Sequence, residues 1–217
     1  MNTFRHALAV AVLVLFAGLQ PAAAQMDALM KQGGELLNAN DPHGAISPLT
    51  QGLAIAESRG IDQAIGDFAQ NLGLAYDYDK QPNLAIRYYD QAIGVYRRIG
   101  DKPDLLWTLG NLGIVYKNKG ENVKSLELQT EALSLARALG DKSAEGRALG
   151  NIGNIYSEFS NSKEALDYHT KALTLQTSLD EKLGIAIDLQ AISSDYQALG
   201  EYAKALDYSK RAFVAFG

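Results

Sequence analysis

Cysteine is absent from all 217 residues. That excludes disulfides, thiol nucleophiles, iron–sulfur ligation and lipid attachment through an N-terminal cysteine. Basic charge is also scarce: 20 Lys and Arg stand against 25 Asp and Glu, a net charge of −5. Nucleic-acid binding shows as a basic stripe, and the longest basic cluster here is Arg97-Arg98, so nucleic acid is not an expected partner. Histidine occurs three times. His43 and His169 each lack a second histidine or a paired carboxylate at ligand spacing, so no metal is expected. The chain has no H-E-x-x-H, no G-x-S-x-G and no G-x-x-x-x-G-K. No catalytic residue, cofactor or phosphate loop is therefore expected. Proline is rare as well, at 5 residues, which leaves room for long helices.

What is present is a phrase that returns every forty residues. It runs Asn71-Leu72-Gly73 with Tyr76, Asn111-Leu112-Gly113 with Tyr116, and Asn151-Ile152-Gly153 with Tyr156. A worn copy has Ala191-Ile192-Ser193 with Tyr196. Further positions keep the same step, among them Ala45, Ala85, Ser125, Ala165 and Ala205, and Gly52, Ala92, Ala132, Ala172 and Ala212. Five copies follow, at about 26–60, 61–100, 101–140, 141–180 and 181–217. Self-similarity at such a period marks a repeat array, whose units cannot bury their apolar faces alone.

Within each copy the apolar spacing is helical: Leu105, Leu109, Leu112 and Tyr116 step by four, three and four on one face. Turn signals at Asp77 to Lys80, Asn118 to Glu121, Phe159 to Asn161 and Leu199-Gly200 divide each copy into two helices. Pro42 and Pro82 stand where a first helical residue is expected, Asn161 and Ser162 suit an N-cap, and Gly60, Gly100 and Gly140 suit helix ends. Each copy is thus a helix–turn–helix hairpin, with Pro48 expected to kink its helix. Gly73, Gly113 and Gly153 are expected to remove bulk at a close helix crossing, with Ala85, Ala165 and Ala205 as counterparts. Tyr76, Tyr116, Tyr156 and Tyr196 are expected to pack between helices.

This arrangement resembles the tetratricopeptide repeat, whose hallmark is Leu-Gly-x-x-Tyr in the first helix and alanines in the second. Leu112-Gly113 with Tyr116 and Ala132 carry the resemblance, together with the connectors Gly100-Asp101-Lys102 and Gly140-Asp141-Lys142. The forty-residue period is similar to the longer variety in kinesin light chains and mitotic G-protein modulators. Repeat 1 departs, with Gln32-Gly33 for Leu-Gly, and is expected to be an irregular capping repeat. The resemblance covers about residues 26–217 and implies an all-α, right-handed superhelical solenoid of hairpins with a concave groove.

It also implies which residues face the groove: Asn71 and Tyr78, then Trp107, Asn111 and Asn118, then Arg147, Asn151 and Asn154. Asn71, Asn111 and Asn151 would either grip the backbone of an extended peptide or close local bonds between helices, since an amide both donates and accepts. Trp107, the only tryptophan, is either a partner anchor or packing. Arg147 suits a carboxylate on the ligand. The expected function is a non-enzymatic scaffold that binds a peptide or partner helix in the groove. The alternatives are the repeat portion of a larger enzyme or sensor, for example with a protease-like domain after the array, and self-association through an uncapped C-terminal repeat.

The first residues differ from the array. Arg5 and His6 precede an apolar run from Ala7 to Leu19, followed by Pro21 and Ala22-Ala23-Ala24. A short basic region, an apolar core and an A-x-A site make a secretory signal peptide over residues 1–24. The run is shorter than the roughly 20 residues of a membrane span, so no span is expected after cleavage, and the protein is expected in the periplasm or outside the cell. N-terminal sequencing of the protein from its native source is expected to begin at Gln25; retention of Met1 would reject a cleaved leader.

Overall fold

The computed structural model describes residues 21–216. Of the expected signal peptide, all but residues 21–24 lie outside them. Among the described residues the chain forms ten α-helices and no strand: α1 (Ala22–Asn38), α2 (Pro42–Arg59), α3 (Asp62–Tyr78), α4 (Pro82–Ile99), α5 (Lys102–Asn118), α6 (Asn122–Leu139), α7 (Lys142–Glu158), α8 (Ser162–Ser178), α9 (Lys182–Ala198) and α10 (Tyr202–Phe216). The chain divides into two compact units that meet between Val95 and Tyr96, inside α4. In the first, α1 packs on α2 and α2 on α3; in the second, each helix from α5 to α10 packs on the next. The expected all-α array of helix–turn–helix hairpins is what forms.

Helix boundaries follow from local chemistry. Asp41, Asp101 and Asp141 stand before α2, α5 and α7, and each carboxylate accepts from the backbone N–H three residues on, at 2.9, 3.2 and 2.8 Å. Asn161 occupies the cap position of α8 but makes no side-chain cap bond. A left-handed residue closes every helix from α1 to α9, one every twenty residues: Asn40, Gly60, Lys80, Gly100, Gly120, Gly140, Ser160, Asp180 and Gly200. At Gly60 the turn returns the N–H groups of Gly60 and Ile61 to the carbonyls of Glu57 and Ala56, both at 3.1 Å, which satisfies the helix end. Pro48, expected to kink α2, sits buried inside the span of that helix. Its missing N–H deprives one carbonyl, that of Gly44.

The close crossing in four of the five hairpins lies where a glycine falls. A Cβ on Gly73 would stand 2.6 Å from the ring of Tyr89, one on Gly113 2.5 Å from the amide of Gln129, and one on Gly153 2.5 Å from the imidazole of His169. Gly33 has the same relation to Leu49, also at 2.5 Å, so repeat 1, expected to be irregular, obeys the rule at this contact. The side chain that fills the space comes from four residues beyond the expected alanine. The alanine still faces the glycine backbone, as two serines reveal. Ser125 Oγ donates to Gly113 O, and Ser193 Oγ to Ala205 O, both at 2.7 Å. A mid-helix glycine costs about 1 kcal/mol, while fully burying a ring such as Tyr89 returns about 2 kcal/mol or more. The exchange favours glycine.

The motif tyrosines pack half-buried against the second helix. Tyr76 stacks on Tyr88 at 5.3 Å, Tyr156 on Tyr168 at 5.3 Å and Tyr196 on Tyr208 at 5.4 Å. Tyr116 has no aromatic opposite and takes the ammonium of Lys124 over its ring at 4.9 Å.

Gly73→Ala is expected to lower stability by about 1–3 kcal/mol, because the methyl collides with Tyr89. Gly94→Ala, where an added methyl meets nothing within 4 Å, is expected to raise it by up to about 1 kcal/mol. Urea denaturation of the two variants beside the parent chain checks the opposite signs.

Candidate functional site

The second unit holds a groove of about 700 Å³ between α5 and α7, floored by α6. It exists because α5 and α7 are the first helices of successive hairpins and present small residues to each other: Gly110 on one side, Ala144 and Ala148 on the other. Leu106, Ile114 and Leu139 add apolar wall. Trp107 stands at the rim, 40 % exposed, and Arg147 and Asp141 supply the charge.

A polar chain crosses the floor. Gln129 on α6 donates from Nε2 to Gly110 O at 2.8 Å and accepts at Oε1 from Asn151 Nδ2 at 3.3 Å. Gly113 makes this possible, because only the lack of a Cβ lets the Gln129 amide lie across α5. The amide nitrogen of Asn111 is buried beside this chain and has no hydrogen-bond partner. A buried donor left unpaired costs about 1–3 kcal/mol. Arg147 donates to Ser143 Oγ at 2.7 Å along its own helix and keeps its guanidinium at the exposed edge. Glu145, on the buried side of α7, is held by Lys142 and Arg137 at 2.7 and 2.8 Å, and those hydrogen bonds pull its carboxyl below the usual range.

Of the residues anticipated at the site, Trp107, Asn111, Arg147 and Asn151 line this groove together. Asn118, exposed at the last residue of α5, and Asn154, half-buried on α7, do not line it. Asn71 and Tyr78 belong to the first unit. Asn71 donates to Asp67 O at 2.8 Å and touches Met30 Sδ at 3.6 Å, while Tyr78 is exposed at the end of α3. Two of the three motif asparagines thus spend their amide nitrogens inside the protein, and Asn111 does not.

Sequence reasoning missed Gln129. The available signal was its phase, since it occupies the position of Tyr89 in the preceding hairpin. It also missed that His169 has carboxylate company. Asp195 Oδ2 lies 2.6 Å from His169 Nδ1, brought there from a different helix rather than by ligand spacing along one. Among the described residues no three His, Asp or Glu side chains are grouped to hold a metal ion, and no helix is long and apolar enough to cross a membrane.

The tetratricopeptide-repeat family profile matches residues 67–138, 115–178 and 148–213. A search of curated proteins finds no match. Solved structures share the fold at low identity. A putative kinesin light chain with nearly identical TPR-like repeats from Podosopora anserina is 14% identical with a TM-score of 0.74, over 90% of this chain and 96% of that one. BtubC (BKLC) from P. vanneervenii is 16% identical with a TM-score of 0.68, over 91% of each chain. A Rap protein complexed with competence and sporulation factor is 16% identical with a TM-score of 0.76, over 95% of this chain and 58% of that one.

Proposed function

This chain belongs to the tetratricopeptide-repeat family, and from that premise we propose that it is a non-enzymatic scaffold. It holds an extended peptide or a partner helix in the groove between α5 and α7. The observation that carries this reading is the groove itself, which gathers Trp107, Asn111, Arg147 and Asn151 along one largely apolar wall. An extended peptide presents carbonyl and N–H groups at every residue and suits a wall that carries amide side chains, which both donate and accept. Trp107 offers a flat apolar face for one ligand side chain, and Arg147 at the opposite edge offers a partner for a ligand carboxylate. A protein of the same fold was solved with competence and sporulation factor bound, which supports a ligand-holding role for such an array.

We place the scaffold outside the cytoplasm on the strength of residues 1–24. Cleavage after Ala24 would remove only the start of α1 and leave its buried residues, Met26 and Gly33, in place.

Trp107 is the single tryptophan and therefore a built-in reporter. Peptides selected from a random library against the purified chain are expected to change Trp107 fluorescence on binding. Asn111→Ala is expected to weaken them about tenfold, the equivalent of roughly 1.4 kcal/mol. Selected peptides that leave Trp107 emission unchanged and bind Asn111→Ala at full affinity would remove the groove from the mechanism.

A second reading, self-association, is favoured by α10. Phe213 falls in the phase of Leu53, Ile93 and Leu133, all buried, yet it is 81 % exposed, with Val214 at 77 % beside it. A second copy laid on this face would bury both. Light scattering is then expected to show a dimer that Phe213→Asp returns to monomer; a monomeric parent chain at high concentration rejects this reading.

A further inference from the structure

Resting on the groove reading above, we propose that the ligand crosses from α5 over α7 onto α9, and that it carries one acidic side chain between two large apolar ones. One repeat position defines the row. Trp107, Arg147 and Ile187 stand at the same phase on the first helices of three successive hairpins. Helix α5 meets α7, and α7 meets α9. All three side chains reach water, Trp107 at 40 % and Ile187 at 50 % exposure, with Arg147 exposed on the helix between them. Leu183, one turn before Ile187 on α9, is 68 % exposed.

The fold does not call for apolar groups on this part of α9. The phase of Ile187 holds Asp67 and Arg147 in other hairpins, and that of Leu183 holds Gln63 and Ser143. Single exposed apolar residues are ordinary, but Leu183 and Ile187 are four apart on one helical stripe and form a patch. The patch lies beyond Arg147 as seen from Trp107, so a cation sits between two apolar surfaces.

Arg147 has no carboxylate partner among the described residues. It donates to Ser143 Oγ at 2.7 Å and leaves most of its five donors for a ligand. The nearby acids are otherwise placed. Glu145 is held by Lys142 and Arg137, Asp141 caps α7, and Asp195 lies beside His169. Asp188 is buried where α9 faces Gly150, and Glu158 stands three turns away at the end of α7. A guanidinium fork fits a carboxylate on two donors at once. A wholly apolar ligand would strip water from Arg147 without pairing it, which is costly, and a basic one would be repelled. Packed helices run about 8–10 Å apart and an extended chain advances about 3.3 Å per residue, so the acid falls about three residues from each apolar side chain. Asn111 and Asn151, on the groove side of the row, suit the backbone of a chain that crosses there.

The test selects one random peptide library against the full chain as parent, as Arg147→Glu, and as Leu183→Ser combined with Ile187→Ser. These side chains are exposed, so the variants are expected to fold. Val123→Ser, at a position 66 % exposed on α6, is the surface control. Peptides selected on the parent are expected to carry Asp or Glu with large apolar residues about three positions to either side. Arg147→Glu is expected to bind them about tenfold more weakly or worse, and to select Lys or Arg in place of the acid. The double variant on α9 is expected to weaken them about tenfold, and Val123→Ser not at all. Full affinity for the double variant, or the same peptides selected by Arg147→Glu, overturns the proposal. If those peptides still change Trp107 emission and weaken on Asn111→Ala, the groove reading survives the loss; if they do neither, or no peptide is selected, both fall. A parent chain that is dimeric and becomes monomeric on Ile187→Ser gives the patch to a second copy and likewise overturns the proposal.

Discussion

Four of the five hairpins depend on a missing side chain. At Gly33, Gly73, Gly113 and Gly153 the first helix offers bare backbone, and the second helix lays a side chain across it. That contact sets the separation of the two helices and so positions the leucines, alanines and tyrosines around it. The seat is permissive about its guest. It holds an aliphatic group at Leu49, a phenol at Tyr89, an amide at Gln129 and an imidazole at His169. A permissive seat is how polar chemistry enters an otherwise apolar repeat, because backbone tolerates a hydrogen-bonding neighbour that a packed isobutyl group would exclude. Gln129 uses the seat to reach Gly110 O and Asn151, and His169 uses it to meet Asp195.

The helices, their ends and the hairpin pairing were legible in the sequence because each rests on residues within one period. Pro42, Pro82, Gly60, Gly100 and Gly140 act on their own backbone, and apolar positions at three- and four-residue steps mark the face each helix turns to its neighbours. What could not be read was the identity of contacts made between periods. Asn71, Asn111 and Asn151 are identical in sequence position, yet one amide nitrogen goes to its own helix and to Met30, one to Gln129, and one has no partner. Their fates differ because the side chains opposite differ. Four of the eight anticipated site residues gather in one groove, while Asn118 and Asn154 lie further along the same helical stripes than that groove extends. The buried Asp188 and Asp195 were open to sequence reading, because 188 puts a carboxylate where Phe68, Thr108 and Ala148 stand and 195 one where Ala75, Val115 and Ile155 stand. That reading needed the phases written out position by position rather than the motif alone.

Polarity in the second unit is therefore concentrated rather than spread. Between α5 and α7 a few amides sit in a wall of leucine, isoleucine and alanine; between α7 and α9 the His169 imidazole meets the Asp195 carboxylate. Helix α7 takes part in both, turning Asn151 and Arg147 toward one and its glycines toward the other. The two clusters thus share a single rigid element, and a displacement of that helix moves both.

The left-handed residue at every twentieth position has a consequence for how such a chain can change in length. Each helix closes on a residue whose place is fixed by backbone conformation, and each face repeats with that spacing. Loss or gain of one residue inside a helix would rotate everything after it by about 100° before the next turn, facing core groups to water. Loss or gain of forty leaves every face where it was. The gene can therefore be lengthened or shortened cleanly only in whole hairpins, and small insertions should be confined to the turns.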